Sequence, residues 1–170
     1  MSLLAILLLA FTANADEGEQ SIHVVIDDVI AAGEVESVDG ITSSGQPDEE
    51  ALKVFAESGY TVVIDMRGPD EDRGMDDYEG AVESTGMSYV SFPVVGAGAI
   101  SFETAEKLDE LLLGIDGPAL MHCGSGNRVG AVLALRESLN GANDEESIQF
   151  GEDAGMTRLE PRVREVLESK

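Results

Sequence analysis

A single cysteine in 170 residues, Cys123, excludes an internal disulfide framework and a multi-cysteine zinc site. Two histidines, His23 and His122, leave too little for a histidine-rich metal centre. Positive charge is also scarce. Ten Lys+Arg face 34 Asp+Glu, a formal net charge of −24, and the only lysines are Lys53, Lys107 and Lys170. No nucleic-acid partner is expected, because such binding neutralises phosphates with a basic face. A polybasic patch for anionic lipid is excluded on the same ground. Tryptophan is absent and aromatics make up 5 %, so composition offers no argument for a stacked ligand. The apolar run Leu3–Ala13, interrupted by Thr12, falls well short of the ~20 residues of a membrane span.

What is present suits one α/β domain. Apolar residues make up 43 %, enough for a core at this length. The run Leu3–Ala13 has the length of a signal-peptide hydrophobic region, and Ala13-Asn14-Ala15 has the small-x-small form of a cleavage site. The expected organisation is a signal peptide over 1–15, an acidic and weakly structured segment over 16–40 with a short strand at Ile22–Ile26, and a domain over 41–170. That implies a periplasmic or secreted protein without stable membrane insertion after cleavage. The acid excess serves solubility or matches a saline habitat, where salt screens self-repulsion over about 10 Å or less.

Ser43-Ser44-Gly45-Gln46-Pro47 reads as turn. A helix follows, capped by Asp48 and stopped by Gly59. Tyr60–Met66 reads as a buried strand, Asp76–Thr85 as a helix, and Met87–Val95 as a strand interrupted by Pro93. Ser101 caps a helix to about Ile115. Ala119–His122 is a short strand, and helices are expected over 128–139, 144–153 and 159–169. This β-α-β-α-β-α order predicts a layered domain with a largely parallel sheet. Ligands of such sheets bind beyond the carboxyl ends of the strands.

The cysteine sits at such a point, in His122-Cys123-Gly124-Ser125-Gly126-Asn127-Arg128. Successive N–H groups of a curled loop form an anion nest, and the N-terminus of the following helix adds partial positive charge. Gly124 and Gly126 permit close approach. Arg128 offers a planar fork to two oxygens of an oxyanion. The same field favours thiolate over thiol at Cys123. A thiolate beside an oxyanion cradle is a nucleophile poised against phosphorus or sulfur. His122 either orders the loop or is a satisfied core histidine, and His23 reads as a strand residue.

Ser44-Gly45-Gln46-Pro47, Val62-Val63-Ile64-Asp65-Met66-Arg67 and the His122–Arg128 loop together resemble the beta-lactamase-hydrolase-like, phosphatase-like domain family, a relative of the dual-specificity and tyrosine phosphatases. The resemblance runs from about Ile41 to the C-terminus. It implies a tyrosine-phosphatase-like α/β sandwich, a largely parallel central sheet flanked by helices. It further implies that Cys123 attacks phosphorus to form a phosphocysteine, while Arg128 and the amides of Gly124, Ser125, Gly126 and Asn127 hold the phosphoryl oxygens and His122 supports the loop. The expected substrate is a phosphorylated small molecule or protein, and no metal or cofactor is expected.

Three departures from the phosphatase pattern stand out. Four residues separate Cys123 from Arg128 where protein phosphatases have five; the resulting six-residue loop matches rhodanese-type sulfurtransferases. Val129 replaces the usual Ser or Thr after the arginine. The stretch Pro93–Gly98, where the general acid is expected, holds no acid. Asp70, Glu71 and Asp72, just past the Gly68-Pro69 turn, are candidate substitutes, with Asp70 and Asp72 preferred and Asp65 a further one, and Arg67 is expected to pair with Glu71. A sulfurtransferase working through a Cys123 persulfide, or a non-catalytic oxyanion or phosphoprotein binder, are the alternatives to a phosphatase.

Overall fold

In the computed structural model, which describes residues 20–36 and 40–170, five strands lie parallel in one sheet. The expected signal segment 1–15 and its Ala13-Asn14-Ala15 site lie outside the described residues. The strands are β1 (Gln20–Val24), β2 (Gly40–Ser44), β3 (Val62–Asp65), β4 (Ser88–Ser91) and β5 (Ala119–His122), in spatial order β1-β2-β5-β3-β4. The helices are α1 (Ile26–Ala32), α2 (Glu49–Glu57), α3 (Tyr78–Ser84), α4 (Phe102–Leu112), α5 (Asn127–Leu139), α6 (Asp144–Asp153) and α7 (Glu160–Leu167). The sandwich read from the sequence is thus the observed architecture, with a sheet that is wholly parallel.

Alternation along the strands divides the core in two. Val62 and Ile64 of β3 and Met121 of β5 face α4, α5 and the C-terminal helices. Val63 and Leu120 face the other way, onto Leu52 and Phe55 of α2 and Val82 of α3. Being covered on both faces, β3 and β5 are apolar almost throughout, which is why they are legible as strands. Helix starts follow the capping residues. Asp48, Asp77 and Ser101 each accept a backbone N–H of the first turn, and Asn143 with Glu146 forms a capping box.

Helix α5 is buried on most sides, and its Gly130 lies against Gly151 of α6. A Cβ on Gly130 would run into the Gly151 carbonyl and the Met156 backbone. That contact brings α5 and α6 close behind the sheet.

Two elements depart from expectation. Gly40–Ser44, part of it read as turn, is a buried central strand. Two of its polar side chains are satisfied at long range: the Thr42 hydroxyl lies 2.6 Å from that of Tyr60, and Ser43 donates to the Ala154 carbonyl at 2.5 Å, while Ser44 donates to the adjacent Gly45 carbonyl at 2.8 Å. Gln20–Ala32, read as weakly structured apart from a strand, forms β1 and α1. The strand pairs in register with β2, His23 opposite Ser43, and Val29 of α1 is buried on the α2 layer. Among the described residues no helix is long and apolar enough to cross a membrane.

Candidate active site

All five strands run the same way, so their carboxyl ends meet along one edge. At its centre β5 delivers His122 and then Cys123. Gly126 takes the left-handed conformation (φ 77°) in which residues with a Cβ are strained, and it starts α5. A bridge between Ser125 and Gly45, just after β2, ties the loop's outer side to the sheet. Gly124 and Ser125 are exposed, and a Cβ on Gly124 would meet nothing within 4 Å. The loop therefore presents backbone outward, while Cys123 itself is buried.

Arg128, in the first turn of α5, turns back toward the cysteine. Its Nη1 and Nη2 donate to Oε1 and Oε2 of Glu71, each at 2.6 Å. Nη1 also reaches the carbonyls of Met66 (3.3 Å) and Val94 (3.1 Å), at the ends of the chain runs containing β3 and β4. The guanidinium interacts with Cys123 as well. Hydrogen bonding to Arg128 holds the Glu71 carboxyl at about 2, and the Gly68 N–H at 2.8 Å adds to it. Glu71 is therefore a fixed anion at neutral pH and holds no proton to donate.

Behind the loop, Asp65 is fully buried and engaged by three donors. These are Arg73 Nε at 2.7 Å, the Arg67 backbone N–H at 2.8 Å and the Tyr89 hydroxyl at 3.1 Å. His122 lies beside it, with Nε2 3.8 Å from Oδ1. Burial lowers the His122 imidazole to about 4 despite Asp65, so the ring is neutral. Burial likewise raises the Tyr78 hydroxyl far above its usual value, so it is a neutral phenol. The consistent proton assignment has the Tyr78 O–H donating to Nε2 at 2.8 Å and Nδ1–H donating to the Cys123 carbonyl at 3.4 Å. Gln46 hydrogen-bonds Tyr78 and accepts from Arg67 Nη1, and Arg67 Nε lies 3.7 Å from Glu71. A closed circuit of polar contacts thus surrounds the loop: Cys123, His122, Tyr78, Gln46, Arg67, Glu71, Arg128.

The structure places Cys123, Gly124, Ser125 and Gly126 in one loop, with Arg128 turned back beside it. His122 fills both roles considered for it, being fully buried and bonded to the loop. Asn127 contributes differently: its Oδ1 accepts from Thr157 N (2.8 Å), Thr157 Oγ1 (3.2 Å) and Leu159 N (3.3 Å), so its side chain pins the α6–α7 turn. Asp70 is exposed, and Asp72 accepts from Gly74 N at 2.8 Å within its own turn. Arg67 does approach Glu71, but the stronger partner of Glu71 is Arg128. Gln46 and Tyr78 are the residues that the sequence reading left outside the site, while Glu71, a candidate acid there, is instead the ionised anchor of Arg128. Gln46 lies within a motif already noted; nothing local marks Tyr78.

The comparisons with known proteins agree with this fold. A family model described as DSP-PTPase phosphatase fused to NAD+ kinase matches residues 28–159. The chain is 28 % identical over 109 residues to the beta-lactamase hydrolase-like protein of Xylella fastidiosa, across 62 % of this chain and 25 % of that protein. It thus spans about a quarter of the length of the curated relatives it matches. A candidate phosphatase from Neisseria meningitidis superposes with TM-score 0.63 at 20 % identity, covering 74 % of this chain and 92 % of that one. The core catalytic domain of the PP-IP phosphatase SIW14 from S. cerevisiae, in complex with citrate, gives 0.54 at 17 % identity, covering 75 % and 80 %. At these identities the solved structures speak to the fold.

Proposed function

The chain belongs to the family described as DSP-PTPase phosphatase fused to NAD+ kinase, and from that premise we propose that it is a cysteine-dependent phosphatase of phosphomonoesters. The observation that carries the reading is the placement of Cys123 at the mouth of a six-residue loop whose Arg128 is locked by Glu71 and two carbonyls. The locked guanidinium and the loop amides stabilise the equatorial phosphoryl oxygens in the transition state. In the first step the Cys123 thiolate forms the S–P bond while the P–O bond to the leaving group breaks. The leaving oxygen takes the electron pair. In the second step water attacks phosphorus, the S–P bond breaks, and inorganic phosphate departs. The water's proton passes to solvent.

No acid stands in Pro93–Gly98, and Glu71 is held ionised, so the reading favours leaving groups that depart without a proton. The six-residue loop and the Asp65-Met66-Arg67 run at the end of β3 favour a sulfurtransferase; family membership and the phosphatase fold outweigh them. Under the same proposal, the apolar run at residues 3–13 supports export to the periplasm or medium.

The test is phosphate release from 4-nitrophenyl phosphate by freshly reduced protein, beside Cys123→Ser. Turnover that the substitution abolishes supports the reading. Equal release from both proteins, or release from neither, overturns it.

A further inference from the structure

Strand order separates the two sides of the cysteine loop. On one side of β5, β3 and β4 lead to the groups that hold Arg128: Glu71, Met66 and Val94. On the other side, β2 leads to Gln46 and β1 leads to Val25–Asp27, with Val24 opposite Ser44 in register. Between that turn and the loop lies a cavity of about 320 Å³, whose lining includes Val25, Asp27, Gln46, Gly124 and Ser125. Two of these, Gly124 and Ser125, are the exposed residues of the anion loop, so the cavity adjoins the seat of the phosphoryl group. A substrate whose phosphorus sits on the loop has room there for the group attached to it.

Charge selects what that group can be. Among the described residues lining the cavity there is no Lys or Arg, and Asp27 is the sole carboxylate. His23, also on the lining, is shifted toward its neutral form by burial. Ser43 spends its hydroxyl proton on the Ala154 carbonyl, so the 2.8 Å contact between His23 Nδ1 and Ser43 Oγ is donated by the ring, and burial lowers the imidazole. The exposed Val25 adds an apolar rim. A second phosphate placed here would meet a carboxylate and no Lys or Arg. The segment also precedes the matched residues 28–159, so the determinant lies outside the family core.

Resting on the phosphatase reading, we propose that this cavity is the leaving-group site and that Asp27 sets its preference, accepting uncharged or cationic leaving groups and disfavouring anionic ones. Asp27 acts as a specificity residue through its charge and transfers no proton.

The experiment uses the full chain and three phenyl phosphates carrying a para carboxylate, hydroxymethyl or trimethylammoniomethyl group. The ratio of kcat/KM is compared among the wild type, Asp27→Asn, Asp27→Lys and the charge-retaining Asp27→Glu. Binding of the same compounds to Cys123→Ser is measured in parallel. The wild type and Asp27→Glu are expected to favour the cationic over the anionic substrate by about tenfold. Asp27→Asn compresses that ratio to about threefold or less, and Asp27→Lys reverses its direction. Turnover with ratios unchanged by either charge-altering variant overturns the inference and leaves the phosphatase reading standing. Charge-ordered binding that Asp27→Lys reverses, without turnover by any protein, supports the cavity's preference and overturns the phosphatase reading. Charge-blind binding without turnover overturns both.

Discussion

Glu71 holds Arg128 with both carboxylate oxygens, each 2.6 Å from a terminal guanidinium nitrogen. The pair is partly solvent-exposed, so its net contribution to stability is about 1 kcal/mol or less. Its contribution to catalysis is expected to be larger, because an arginine displaced by about 1 Å can cost ~10²-fold in rate. Glu71→Gln is therefore expected to lower kcat/KM by about 10- to 100-fold with little change in melting temperature. Steady-state kinetics and a thermal melt on the same preparation check this. A large loss of stability without a kinetic effect would assign Glu71 to the scaffold.

The same carboxyl fixes a pH dependence. Its folded value of about 2 lies below the ordinary 4.5, so its stabilisation is full above 4.5 and is lost as pH falls through about 2. The Glu71–Arg128 pair is therefore expected to contribute no ionisation between pH 5 and 8. A kcat/KM profile in which Glu71→Gln shifts an apparent ionisation inside that window would contradict it.

His122 gives stability a slope in a different window. Its folded value of about 4 lies below the ordinary 6.5 because the neutral ring is buried. The stabilisation is full above 6.5 and is lost as pH falls through about 4, a change of roughly 3 kcal/mol. Urea unfolding between pH 7 and pH 4 measures it. His122→Gln, although less stable throughout, is expected to flatten that slope.

Asn127 is expected to matter for packing more than for chemistry. Asn127→Ala removes the acceptor of the Thr157 and Leu159 amides, which water can partly replace, at a cost of about 0.5–1.5 kcal/mol. Differential scanning calorimetry reads the loss. A kcat for aryl phosphate within about threefold of wild type is expected at temperatures where the variant stays folded.

Without a proton donor near the leaving oxygen, the rate should follow leaving-group acidity steeply. 4-Nitrophenyl phosphate is expected to turn over about 10²-fold or more faster than a simple alkyl phosphate. Comparable rates would reveal an acid, and Asp70→Asn and Asp72→Asn would then locate it.

The elements most legible in the sequence were those whose partners are local or uniformly apolar. β3 and β5 are apolar runs buried on both faces, and α2, α3 and α4 begin at side chains that cap them. β2 was hidden because Ser43 and Ser44 look like turn residues. The partner of Ser43 is the Ala154 carbonyl, 111 residues away, and that of Thr42 is Tyr60. α1 was hidden because its N-cap is Val25, which makes no side-chain cap. The cysteine loop is contiguous and could be read directly. Glu71 and Tyr78 reach it from 57 and 44 residues away, and only the strand order β1-β2-β5-β3-β4 brings them there.

The most direct test of the central claim is rapid acid quench of the protein with 4-nitrophenyl phosphate, followed by peptide mass spectrometry. The account predicts a phosphoryl group on the sulfur of Cys123 in the wild type and none in Cys123→Ser. An unphosphorylated Cys123 that instead gains one sulfur atom from thiosulfate would contradict it and make the protein a sulfurtransferase.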